Sequence, residues 1–140
     1  MKVLLPVDGS DYTKRMLGYV AASDGLLGTR HDYVVVTVVA ALPAHATRFI
    51  DRATLDDYYR ESAEAVLGPV RAFAEQKGWT LRTDVRVGHA AEQIAVAAEE
   101  ARADLIVMGS HGHSAFGSVV LGSVASGVIA RCKTPVLLIR

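Results

Sequence analysis

Asp8 and the run from Gly109 to Ser123 hold the groups whose types and spacing point to chemistry. The run reads GSHGHSAFGSVVLGS. It follows Asp104–Met108, an apolar stretch with the length and content of a buried strand. It precedes Val124–Cys132, whose apolar residues recur at helical spacing. Strand, glycine-rich loop and helix in that order make an anion cradle. Glycine lets the backbone approach a ligand and take up positive φ. The N–H groups at a helix start carry partial positive charge and lack partners within the helix, and phosphate is the anion they most often meet. Glycines that only make turns are the competing reading of the same loop.

Two familiar phosphate loops do not fit. A P-loop needs a lysine after its second glycine, and although Gly112 and Gly117 have the spacing, Ser118 stands in the lysine's place. A dinucleotide fingerprint needs three spaced glycines after the first strand, where this chain offers only Asp8-Gly9-Ser10-Asp11. What remains is Gly109-x2-Gly112-x9-Gly122-Ser123.

The chain of 140 residues is long enough for one domain, 1–140, with a sizeable core, and its 51% hydrophobic content argues against disorder. Fifteen basic and fifteen acidic residues balance. That argues against a nucleic-acid binder, which carries a basic excess. No basic amphipathic stretch points to a membrane surface, no apolar run reaches a spanning length, and the opening MKVLLPVDGS turns polar too soon for a signal peptide. A single cysteine allows no internal disulfide, and the cytoplasm is the expected compartment.

These groups need elements to position them. Lys2–Val7 reads as a first strand, with Asp8 just past its carboxyl end. Ser10 is placed to cap a helix running to about Leu27, closed by Gly28. Tyr33–Ala40 is an unbroken β-branched run, as in a strand covered on both faces. After a long loop, Ala41–Arg52, a helix over Ala53–Lys77 is expected to kink or break at Gly68-Pro69 and to end at Gly78. Trp79–Val87 alternates: Trp79, Leu81, Thr83, Val85 and Val87 face one side, and charged residues face the other, which suits an edge strand. An alanine-rich helix over Ala90–Arg102, the Asp104–Met108 strand, the loop, the last helix and a final strand Val136–Ile139 complete the chain.

Alternating strands and helices predict an α/β fold of the Rossmann-like kind: an open five-stranded parallel sheet with helices on both faces. Strand order 3-2-1-4-5 puts the amphipathic third strand at an edge and the short apolar first and fourth strands at the centre. The connections diverge between those two, which is where ligands bind in open α/β sheets. Asp8 and Gly109 should therefore face one crevice.

At this point the chain resembles the universal stress protein family over its whole length. The glycine pattern is similar to that family's ATP-binding signature, and LLPVDGS, VVVTVV, VGHAAEQI, LIVMGSHGHS, LGSVASGVIA and TPVLLIR fall in the matching places. The resemblance implies the five-stranded fold of the adenine nucleotide alpha hydrolase kind. It implies that Pro6, Val7 and Asp8 border the nucleoside, with the Asp8 carboxylate on the ribose, that Val38 packs on adenine, and that Met108 flanks the nucleotide. Gly109, Gly112, Gly122 and Ser123 would surround the phosphates, with Val124 beside them and His113 nearby. The loop holds no lysine or arginine, so ATP is expected with Mg²⁺ or Mn²⁺ bound through its phosphates. Val136–Ile139, an apolar edge strand, is expected to pair two copies into a homodimer, as the resemblance also implies.

Blander roles stand beside these. Asp8 and Ser123 are also suited to capping helices, His111-x-His113 to plain solvation rather than a metal pair, and Cys132 to core packing. Arg48, Arg52, His45 and His89 read as surface residues. No placed base or nucleophile set for hydrolysis is visible. The expectation is a nucleotide-dependent stress-response switch with little or no turnover. The alternatives are a slow ATPase or phosphotransferase, with Ser110, Ser114 or Ser118 as candidate sites of autophosphorylation, and a nucleotide-free dimeric interaction module.

Overall fold

The computed structural model describes residues 1–113 and 121–140. Ser114, Gly117 and Ser118 lie outside the described residues. The strands are β1 (Lys2–Pro6), β2 (Asp32–Val39), β3 (Thr80–Val87), β4 (Leu105–Gly109) and β5 (Val136–Ile139). The helices are α1 (Asp11–Ala22), α2 (Ala44–Thr47), α3 (Arg52–Lys77), α4 (Ala90–Ala101) and α5 (Ser123–Arg131). Among the described residues the strands form one parallel sheet in the order β3-β2-β1-β4-β5. That is the expected order, with β1 beside β4.

Both faces of the centre are buried, as the unbroken apolar runs require. Val3, Leu5, Val35 and Val107 join α1 and α3 in one core. Their sequence neighbours Leu4, Val34, Val36, Ile106 and Met108 join α4 and α5 in the other. Helix α5 lies close on α4. A Cβ on Gly127 would fall 2.5 Å from the Ala91 Cβ, so this crossing admits only glycine at that point.

Several local expectations are corrected. Helix α1 ends at Ala22, five residues short of Leu27. Ser23–Leu27 makes a separate turn that buries Leu27, and Gly28, at φ +101°, is clasped there by the Tyr33 hydroxyl. The long loop contains the short helix α2, and Leu42 N–H donates to the Tyr59 hydroxyl on α3. Helix α3 runs through Pro69 without the expected break. Pro69 and Ala65 are exposed, so water can satisfy the carbonyl that proline leaves without a donor. Gly68 brings no Cβ against the proline ring.

Strand β3 is at the edge as expected, but its faces divide differently. Trp79 is buried and Leu81 half-buried, whereas Val85 and Val87 are exposed. Toward the carboxyl end the charged face is the covered one. Arg86 donates to Asp84 at 2.8 Å and to Glu100 on α4. An ion-paired arginine can be covered where a lone one could not.

Candidate functional site

The carboxyl ends of β1 and β4 open on a cavity of about 440 Å³. That is within the usual range for a small-molecule site, roughly 300–1,000 Å³. Every residue expected at the site lines it. Pro6, Val7 and Asp8 come from the end of β1, Val38 from β2, and Met108 and Gly109 from β4. Gly112 and His113 come from the loop, and Gly122, Ser123 and Val124 from the start of α5. His111, read from sequence as a solvated histidine near the phosphates, also lines it, and so do Thr13 of α1, Val36 of β2, Ala90 and Ile94 of α4, and Ala125, which were not anticipated. Val36 was readable: strand alternation puts it on the same face as Val38. Ala90 and Ile94 are one helical turn apart and share a face in the same way.

The walls differ in chemistry. Val36, Val38, Ile94 and Met108 make an apolar side, suited to a flat ring system. Across from it stand Asp8, the loop and the start of α5. The first backbone N–H of α5 to find a helical acceptor is that of Ser126, on Gly122 O at 3.0 Å. The N–H groups of Ser123, Val124 and Ala125 have no acceptor within the helix and carry the positive end of its dipole. Ser123, exposed, adds a hydroxyl. Among the described residues no lysine or arginine lines the cavity.

Asp8 is held rigidly at the rim. Its Oδ1 accepts from Ser10 N–H at 2.9 Å and from the Thr13 hydroxyl at 3.0 Å. Its own N–H donates to Thr13 Oγ1 at 3.1 Å, and its carbonyl accepts from His113 Nε2 at 2.6 Å. Ser10 stands at the N-cap of α1 as expected, but its side chain makes no cap bond. Its Oγ is buried with no hydrogen-bond partner among the described residues, so the start of α1 is organised by the Asp8 carboxylate instead. Although Asp8 keeps an exposed edge, burial by its neighbours pushes its carboxyl up. The hydrogen bonds from Ser10 and Thr13 and the charge of His113 outweigh this and hold it below the ordinary carboxylate value.

None of the three described loop glycines has positive φ. They are needed for close approach. A Cβ on Gly112 would fall 2.5 Å from Asp8 Oδ2, and one on Gly122 would fall 2.8 Å from Ser110 O. The pattern therefore packs the loop against the end of β1 and against itself. Ser110 is buried, and its hydroxyl shares a 2.9 Å hydrogen bond with His111 Nδ1. The His111 ring packs on Tyr12. Among the described residues no cluster of three or more His, Cys, Asp or Glu could hold a metal. Arg48, Arg52, His45 and His89 are exposed and line no part of the cavity, and Cys132 is half-buried against the α4–α5 core.

A model of the universal stress protein family matches residues 1–140. The chain belongs to this family. Universal stress protein Slr1230 of Synechocystis is 32% identical over 99% of the chain, which spans 42% of that relative's length. The solved hypothetical protein MJ0577 superposes with a TM-score of 0.79 at 26% identity, over 99% of this chain and 94% of that one. Its source is Methanocaldococcus jannaschii. A universal stress protein solved in complex with cAMP gives 0.71 at 22% identity, over 100% of this chain and 97% of that one, a likeness of fold. No helix among the described residues of this universal stress protein is long and apolar enough to cross a membrane.

A native Asp8 value below 3.8 means that its ionisation favours the folded state. The contribution is complete above 3.8 and is lost as pH falls through the lower native value. Urea midpoints of Asp8→Asn should therefore lie below wild type at pH 7, and the gap should close in acid. An equal gap at neutral and acid pH would contradict this.

Proposed function

We propose that this chain binds an adenine nucleotide, ATP with Mg²⁺ or Mn²⁺, in the cavity between β1 and β4. The bound state acts as a switch in a cytoplasmic stress response, with little or no turnover, and the 140 residues act as one binding unit. One observation carries the reading: Asp8 and the glycine loop come from opposite ends of the chain and meet on one cavity that has an apolar wall. In this reading Val38 and Val36 pack on the purine. Asp8 accepts from the ribose, with Pro6 and Val7 alongside, and Met108 flanks the nucleotide. The loop backbone at Gly109, Gly112 and Gly122, the Ser123 hydroxyl and the first turn of α5 at Val124 receive the phosphates, with His113 at their margin. The cAMP complex of a protein of the same fold supports an adenine nucleotide as the class of occupant. Low turnover is favoured because Asp8 Oδ1 is engaged by Ser10 and Thr13, its Oδ2 is given to the ribose in this reading, and the Ser110 hydroxyl is buried on His111.

The cation is argued from charge. With no lysine or arginine among the described residues of the lining, the phosphate chain of ATP needs neutralising by a metal that it brings itself.

Calorimetric titration of nucleotide-stripped protein tests both points. ATP with Mg²⁺ should bind at micromolar concentration. Asp8→Ala should weaken it by about tenfold or more, the worth of a hydrogen bond to a charged group. Omitting Mg²⁺ should weaken ATP but leave AMP little changed. Absence of binding by both nucleotides would overturn the reading. Ser123→Ala is the suitable loop variant, because a side chain at Gly122 would collide with Ser110 whether or not nucleotide binds.

Two copies pair through β5, whose outer edge no strand covers among the described residues. Light scattering should give a dimer at micromolar concentration, and a monomer would contradict it.

A further inference from the structure

Thr13 belongs to no motif, yet it makes two of the contacts that fix Asp8, the one carboxylate among the described lining residues. It lies in the first turn of α1, is 6% exposed, and lines the cavity. Its hydroxyl bonds to Asp8 twice: Oγ1 accepts from the Asp8 N–H at 3.1 Å and gives its only proton to Oδ1 at 3.0 Å. Oδ1 also takes the Ser10 N–H at 2.9 Å. The carbonyl of Asp8 takes His113 Nε2. Three of the four polar atoms of Asp8 are thus engaged. Among the described residues, Oδ2 alone takes no hydrogen bond. It stands against Gly112, where a Cβ would lie 2.5 Å away. The carboxylate torsion of an aspartate is broad and shallow, so an aspartate on an exposed strand end would present either oxygen. Two donors on Oδ1 remove that freedom.

We propose that Thr13 is a positioning residue for nucleotide recognition: with the Ser10 N–H it occupies Asp8 Oδ1 and leaves Oδ2 to accept a ribose hydroxyl. The inference rests on the nucleotide reading above. It assigns selection of ribose over a sugar without hydroxyls to a side chain whose own hydroxyl is not offered to the ligand. Threonine suits the task because one hydroxyl both accepts from the backbone and donates to the carboxylate.

The test compares ATP and 2′,3′-dideoxy-ATP, each with Mg²⁺, on full-length wild type, Thr13→Val and Thr13→Ser. Wild type should prefer ATP by about tenfold or more. Thr13→Val keeps the shape and removes the hydroxyl. It should bring the two affinities to within about twofold, chiefly by weakening ATP. Thr13→Ser keeps the hydroxyl and should keep the preference. A purely structural role would weaken both nucleotides alike and leave the ratio at the wild-type value, and that result overturns the inference. Loss of the preference in Thr13→Ser would also overturn it, and this arm decides if Thr13→Val does not fold. Equal wild-type affinity for the two nucleotides would overturn it while leaving nucleotide binding standing. No wild-type binding of either would remove the nucleotide reading itself.

Discussion

The pairing of β1 with β4 at the centre of the sheet is the constraint on which the site depends. Val3 pairs with Leu105 and Leu4 with Ile106, and all four are buried or half-buried. Strands covered on both faces cannot end on a charge inside the core, because burying an unpaired carboxylate is costly. Polarity therefore begins where the strands stop, at Asp8 on one and at Gly109–Ser110 on the other. The helices that follow go to opposite faces: α1 packs with α3 and α5 packs with α4. The gap between their starting points is the cavity. Asp8 and the glycine loop meet because the topology sets them side by side.

Within that gap the glycines bring polypeptide close to polypeptide. Gly112 lets the loop lie against Asp8 Oδ2, and Gly122 lets it fold back on Ser110. Gly122 N–H also donates to Ser110 O at 2.8 Å. The fold thus imposes a demand for small residues at these positions before any ligand is considered. Such a loop can serve both readings that its sequence leaves open, turn-making and phosphate binding, because the close approaches that compact it also leave the start of α5 facing the cavity. Among the described residues the polar end holds one well-fixed carboxylate and no lysine or arginine.

Much of this was legible in the chain. The apolar runs of β1, β2 and β4 and the alternation in β3 led to the strand order, and the residues expected at the site at the ends of β1, β2 and β4, together with Gly112, His113, Gly122, Ser123 and Val124, line one cavity. What was not legible depended on contacts remote in sequence or on where a helix face points. Thr13 reads as an ordinary helix residue until α1 folds back over the end of β1. Ser10 has the composition of a cap, but its hydroxyl makes no cap bond and its N–H donates to Asp8 Oδ1. Pro69 reads as a breaker, but on the solvent face of α3 the backbone partner it lacks can be replaced by water. Val85 and Val87 have the pattern of a buried face, yet the covered side at that end of β3 is the one where Arg86 finds Glu100.

The most direct test is amide and methyl NMR of nucleotide-stripped protein during titration with ATP and Mg²⁺. The account predicts saturable shifts at Gly109, Gly112, Gly122 and Ser123 and at the Met108 and Val38 methyls, with Val85 and Val87 on β3 unmoved. Shifts confined to the edge strands, or none at the loop glycines, would contradict a nucleotide seated between β1 and β4.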